Sequence, residues 1–162
     1  MTDQGRIRNA ASGLVVRDRH VLMVRGDWPR PDTWWLPGGG QKAGETLAAC
    51  AEREVFEETG VRVRAEDLAV VREYIQANHP GGHQMMSGTG HRVEAMFRCR
   101  ILHEPSVLGG PAEDFEQVGV EWVALDKLPG LRTLPPCLPA VIADVLAAGR
   151  DRGAVYLGDR YA

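Results

Sequence analysis

Three cysteines, Cys50, Cys99 and Cys137, are all that the chain contains, and no two of them stand in a C-x-x-C spacing. An odd, scattered set excludes a disulfide framework and a structural zinc knuckle, and leaves reduced, buried thiols as the expectation. No apolar run approaches the roughly 18 residues needed to span a bilayer. Residues 1–9 lack the apolar stretch of a secretory leader. A cytoplasmic protein with no membrane partner is therefore expected. Positive charge is not in excess either: 19 basic against 22 acidic residues leave a net charge of −3. Such a chain lacks the broad positive field that duplex nucleic acid demands. A small phosphorylated ligand stays open, because a few local cations or a metal ion can hold it. Neither G-x-G-x-x-G nor G-x-x-x-x-G-K-[ST] occurs, which removes the dinucleotide fold and the P-loop. There is no internal repeat.

What is present fits one domain over residues 1–162. Ala11–Val16 and Val21–Val24, with a polar turn between them, read as a two-stranded hairpin. Residues 26–33 contain Pro29 and Pro31 and read as loop. Trp34-Trp35-Leu36 is a short apolar run stopped by Pro37. Gly38-Gly39-Gly40 follows and is not expected to form regular structure. Leu47–Thr59 is free of Gly and Pro, and its composition is helical. Thr46 is a natural N-cap and Gly60 a natural stop. Beyond it come strand-like pieces, Val61–Val63 and Leu68–Ile75. Residues 76–90 read as a long loop, with His79, His83, Met85 and Met86. Strands are expected over Val93–Leu102 and Val118–Leu125, separated by a second loop, and a shorter helix over Pro139–Ala148. The last dozen residues carry no pattern. Helices alternating with strands imply an α/β fold on a mixed sheet.

The helix carries the chemistry. At about 100° per residue, Glu54, Glu57 and Glu58 stand at i, i+3 and i+4 and share one face. Ala48, Ala51 and Val55 form an adjacent apolar stripe. Like charges at this spacing repel, and the helix C-terminus disfavours anions. A divalent cation reverses both penalties, since Mg²⁺ takes hard oxygen ligands. A solvated acidic face with Arg53 as an ion-pair partner is the plainer alternative. The glycines upstream favour the first reading, because a backbone without side chains approaches a ligand closely and a carbonyl there can join the carboxylates.

Taken together, Gly39-x5-Glu45-x7-Arg53-Glu54-Val55-x-Glu57-Glu58-x-Gly60-Val61 resembles the complete Nudix box. At about 7% usage per residue type, a chance match at these spacings is far rarer than about one in a million. Trp-x-Leu-Pro-Gly-Gly before the box and a strand ending in Glu121-Trp122 extend the likeness. The resemblance implies the Nudix fold, an α/β/α sandwich around a mixed sheet. It implies a Mg²⁺- or Mn²⁺-dependent pyrophosphohydrolase acting on a nucleoside diphosphate linked to another moiety: ADP-ribose, a sugar nucleotide, a dinucleoside polyphosphate or a nucleoside triphosphate. It implies Glu54, Glu57 and Glu58 as metal ligands with the Gly39 carbonyl, Arg53 as the orienting cation and Glu45 as a brace for the loop. A homodimer is a further family option. The proton acceptor in such enzymes is a box glutamate or a later acid. Glu113 and Glu116 are the later candidates here, and Glu116, close to a strand start, is preferred.

Substrate contacts are expected from Gly38, Gly39 and Gly40, from Arg25 as a phosphate ligand, and from Trp34 as a stacking surface for a base. Trp28, Trp35, His83 and His91 are weaker candidates. Markers of family subgroups do not decide the substrate. The proline about 15 residues beyond the box is matched only by the late Pro80, the dinucleoside-polyphosphate tyrosine falls near Asn78, and the NADH-type pattern is missing. Two rivals share the fold. A non-catalytic nucleotide-metabolite sensor would not need three costly anions. An isoprenoid diphosphate isomerase needs a reactive cysteine or further acids near the metal, and Cys50 lies in the wrong place, inside the helix.

Overall fold

The computed structural model describes residues 6–82, 90–112 and 116–162. The hairpin forms as read from sequence, with longer arms: β1 (Arg8–Arg17) and β2 (His20–Gly26). Asp18 and Arg19 both adopt positive φ, 46° and 59°. That is the backbone twist a two-residue hairpin loop requires. Next come β3 (Thr33–Trp35), β4 (Gly38–Gly40), α1 (Leu47–Thr59), β5 (Arg62–Ile75), β6 (His91–His103), β7 (Gln117–Ala124), α2 (Leu138–Ala148) and β8 (Val155–Tyr156).

The strands form one eight-stranded sheet in the order β3-β2-β1-β6-β5-β8, with β4 paired to β1 and β7 to β2. It is mixed: β1–β6 and β5–β8 run parallel, the other pairs antiparallel. Alternation along β1 divides two cores. Leu14 on one face joins Val21, Met23, Val70, Met96 and the α2 residues Val141, Ile142 and Val145. Val15 on the other joins Leu22 and Val55 of α1, while Ala11 packs with Cys50 and Ala51. The helices thus cover opposite faces of the sheet, and each aliphatic side chain withdrawn from water contributes about 1.5–3 kcal/mol.

Three sequence expectations need correction. Gly38–Gly40 is a strand, pairing Ser12 with Gly38, Ala11 with Gly39 and Ala10 with Gly40. Its lack of side chains is what permits the pairing: a Cβ on Gly38 would stand 2.6 Å from the Ala11 carbonyl oxygen. The two pieces after α1 are one strand, β5, which keeps its partner β6 across three register shifts. The patternless tail supplies β8, and Asp159 accepts hydrogen bonds from the Ile75 amide (2.9 Å) and Asn78 (2.8 Å). His79 is spent in the same contact, 2.8 Å from Asp159 and stacked on Tyr74. His83, Met85, Met86 and Glu113 lie outside the described residues.

All three cysteines are free thiols, with Cys50 and Cys137 buried. Burial pushes the thiols of Cys50 and Cys99 up, to about 11 and about 12. Among the described residues no helix is long and apolar enough to cross a membrane.

Candidate active site

The acidic helix begins at Thr46, whose hydroxyl accepts from the Ala49 amide at 3.1 Å. It ends at Gly60, whose φ of 77° closes the last turn. Ala51 and Val55 turn into the sheet, as their spacing predicts. That rotation leaves Glu54 and Glu57 at the rim, and Glu58 fully buried on the inner edge.

Arg53 organises the rim. Its fork takes Glu45 through both carboxylate oxygens, Nε to Oε2 at 3.0 Å and one terminal nitrogen to Oε1 at 2.7 Å. That nitrogen also donates to the Gly40 carbonyl at 3.0 Å. The other terminal nitrogen donates to Glu54 at 2.6 Å and to Glu57 at 3.0 Å. One planar cation therefore holds three carboxylates and the glycine strand together, a geometry that lysine cannot reproduce. The guanidinium beside Glu45 holds that carboxyl down at about 2, against an ordinary 4.5. The same partners raise Arg53 further.

The glycine strand lies against these acids. A Cβ on Gly39 would stand 2.6–2.7 Å from the carboxylate atoms of Glu54. The Gly38 amide donates to Glu58 at 3.2 Å, and the Gly39 carbonyl takes a long contact, 3.5 Å, from the Cys50 thiol.

The far end of the helix is capped by a segment whose sequence carries only the signals of a loop. Gly109 donates to the Thr59 carbonyl (2.9 Å), Ala112 to that of Glu57 (3.0 Å) and the Gln117 side chain to that of Glu58 (2.8 Å). Three last-turn carbonyls, orphaned in any helix, find partners there. Gly110 fits only because it has no side chain, since its Cβ would stand 1.9 Å from the Glu57 carbonyl oxygen. The cap brings the start of β7, and with it Glu116, to the acidic end of α1. The backbone of Glu116 is fixed by the Asp27 amide at 3.1 Å.

Two expected substrate residues are placed elsewhere. Trp34 is 6% exposed and belongs to the core on the α2 side, so it offers no free face to a base. Arg25 lies over the Trp34 ring, 5.7 Å from its centroid, and near Asp32 and Glu121. By strand alternation it points to the face away from α1.

The donor set is all oxygen, which suits Mg²⁺ or Mn²⁺. Among the described residues, however, no group of three acidic, His or Cys side chains converges into a ready cage. Glu54 and Glu57 face Arg53, while Glu58 turns to Gly38. A pair of rim carboxylates is still what Mg²⁺ uses, because it is commonly held by one or two carboxylates, waters and substrate phosphates.

Comparison with known proteins agrees with this architecture. The family model described as "NUDIX domain" matches residues 6–146. The mouse protein "Nucleoside diphosphate-linked moiety X motif 6" is 29% identical over 144 residues, 89% of this chain and 42% of its own length. A "MutT-like protein" of Streptomyces ambofaciens is 33% identical over 122 residues, 74% of this chain and 65% of its own. The chain thus spans less than two thirds of either relative. A solved structure, a NUDIX hydrolase from Nitrosomonas europaea, superposes with a TM-score of 0.72 at 20% identity, covering 90% of this chain and 92% of that one.

Proposed function

Because the chain belongs to the Nudix family, we propose that it hydrolyses the phosphoanhydride bond of a nucleoside diphosphate joined to another moiety. The observation that carries this is the Arg53 fork, which sets two carboxylates side by side against a strand made only of glycine. Glu54, Glu57 and Glu58, with the Gly39 carbonyl, are the oxygens that would hold Mg²⁺ or Mn²⁺. When bound, that cation offsets phosphate charge and makes a coordinated water more acidic.

The chain's own residues do the rest. Gly38, Gly39 and Gly40 bring bare backbone up against the acids, the Glu54 carboxylate standing where a Gly39 side chain would go, so a diphosphate held at the acids reaches that backbone. Arg53 offsets the repulsion among the acids and fixes where each carboxylate stands, which is most of what phosphoryl chemistry asks of a protein. Glu116, at the head of β7, is the carboxylate that takes the proton from the attacking water. Glu45 keeps Arg53 in its plane.

The mouse relative's name speaks of a nucleoside diphosphate-linked moiety, the substrate class proposed here. The test is incubation of the full chain with Mg²⁺ and ADP-ribose, sugar nucleotides, dinucleoside polyphosphates or nucleoside triphosphates, with the nucleotide products separated by chromatography. Turnover of at least one, abolished by a chelator and restored by Mg²⁺, is expected. Tight binding with no turnover of any compound would instead identify a metabolite sensor.

A further inference from the structure

β7 is an outer strand of the sheet. It pairs with β2 alone, while β3 and the end of β1 take the other side of β2. The Leu125 amide donates to the Arg19 carbonyl at 2.9 Å. Bonded positions in an antiparallel pair recur at every second residue. Gly119, Glu121 and Val123 therefore turn their backbone groups toward β2, and Val120 and Trp122 turn theirs away from it. Among the described residues no other segment hydrogen-bonds to that outer edge.

A row of unpaired amides and carbonyls is a template for another strand. Natural edges are blunted by lysine, proline or several charges. Residues 118–124 contain no Lys and no Pro, and Glu121 is their single charged residue. The register shift opposite Arg25 and Gly26 bends the start of β7 and leaves its middle regular. By contrast, the edge strand at the far end of the sheet, β8, is two residues long.

The side chains of β7 are arranged for a partner as well. On the α1 face Val118 is 51% exposed, and Trp122 carries the Arg17 guanidinium over its ring at 4.4 Å. On the other face stand Glu121 and, from β2, Arg25, both with exposed side chains. Arg25 lies 3.6 Å from Asp32 and 3.9 Å from Glu121, too far for hydrogen bonds, and its Nε has no hydrogen-bond partner among the described residues. A Cβ on Gly119, the residue opposite Arg25, would meet only that guanidinium, at 4.0 Å.

We propose that two copies of the chain pair through β7, antiparallel about a two-fold axis at Val120. In this register Val120 faces Val120 of the partner subunit, Val118 faces the partner's Trp122, and Gly119 faces the partner's Glu121. Paired strands lie about 4.8 Å apart. Because Gly119 has no side chain, Arg25 reaches over β7 to the partner's Glu121, and the two-fold axis makes that ion pair twice. Sliding the strands by two residues would set Glu121 against the partner's Glu121, so charge selects the register. A strand with an acid at the place Arg25 can reach is what the edge fits, and β7 is itself such a strand. The pairing does not depend on the activity proposed above.

Sedimentation velocity of the full chain is the experiment, at concentrations up to about 100 μM, above the micromolar end of specific interfaces. The wild type should sediment as a dimer at the upper end. Glu121→Arg sets two cations against each other across the axis, and Arg25→Glu sets two acids together. Each should weaken the dimer at least about tenfold. An equimolar mixture of the two variants should restore it, since every contact across the axis then joins a cation to an anion. Amide hydrogen exchange of the wild type needs no variant: the amides of Val120 and Trp122 should slow as the concentration rises. The proposal is overturned by a wild type that stays monomeric, by a dimer that both variants retain, by a mixture of folded variants that stays monomeric, or by exchange at Val120 and Trp122 that ignores concentration.

Discussion

Arg53 and Glu45 meet through two parallel hydrogen bonds, 3.0 and 2.7 Å long, eight residues apart in the chain. The pair ties the loop before α1 to the middle of that helix. Its consequence is a dependence of stability on acid. The carboxyl of Glu45 is held at about 2 in the folded chain against an ordinary 4.5. A depressed carboxyl contributes its full stabilisation above about pH 4.5 and loses it as the pH falls toward 2. Urea midpoints measured from pH 6 to pH 2.5 should fall for the wild type, and fall less steeply for Glu45→Gln. Equal slopes for the two proteins would remove Glu45 from the account.

Gly110 to alanine should be among the most damaging small substitutions outside the core. The new methyl would stand 1.9 Å from the Glu57 carbonyl oxygen, a backbone atom that cannot swing aside. Either the cap on α1 opens or the helix end shifts. A loss of about 1–3 kcal/mol or more is expected from overpacking of this kind. Thermal melting checks it, and a wild-type midpoint would mean that the 109–112 segment does not sit on the helix end.

How legible these features were depends on how local their causes are. The bounds of α1, Leu47–Thr59, follow from Thr46 and Gly60, which act within a few residues of themselves. The acids of its outer face follow from helical spacing alone. The strand at Gly38–Gly40 was not legible, since its cause is a partner, β1, almost thirty residues away, and glycine composition argues against it. Nor was the cap, because Gly109 and Ala112 signal nothing until they reach the carbonyls of residues 57–59. For Trp34 and Trp35, alternation fixes that one faces the core, but which one depends on the register of β2 against β3. Between the sheet and α2, Ser12, Arg72 and Glu94 come from three strands to line one cavity, and no spacing announces it.

Two glutamates on α1 should separate chemistry from stability. Glu57 sits at the rim with its side chain 28% exposed, bonded to Arg53. Glu57→Gln should lower turnover by about 100-fold or more and move stability by less than about 0.5 kcal/mol. Glu52, on the same helix, instead accepts the Ala65 amide at 2.9 Å and ties α1 to β5. Glu52→Ala should cost about 0.5–1.5 kcal/mol and leave turnover per folded molecule unchanged. Paired rate and melting measurements decide; a catalytic loss at Glu52 equal to that at Glu57 would mean that the acids work only as a general surface charge.

Gly39→Ala isolates the position of one carboxylate from everything else. The added methyl would meet the Glu54 carboxylate at 2.6–2.7 Å, and the obstacle is the end of a flexible side chain. The backbone at Gly39 is not among the glycines with positive φ, so alanine adopts it without strain. The fold should therefore hold, while Glu54 is pushed off its 2.6 Å bond to Arg53. Misplacement by about 1 Å in a phosphoryl-transfer site is worth about 100-fold in rate, so kcat should fall by tens to about 100-fold with little change in melting temperature. Gly44→Ala is the matched control. Gly44 has a φ of 88° and open space where its Cβ would go, so it should cost about 1 kcal/mol of strain and no activity. Wild-type kcat in Gly39→Ala would mean that the Glu54 carboxylate does not stand where the reaction takes place.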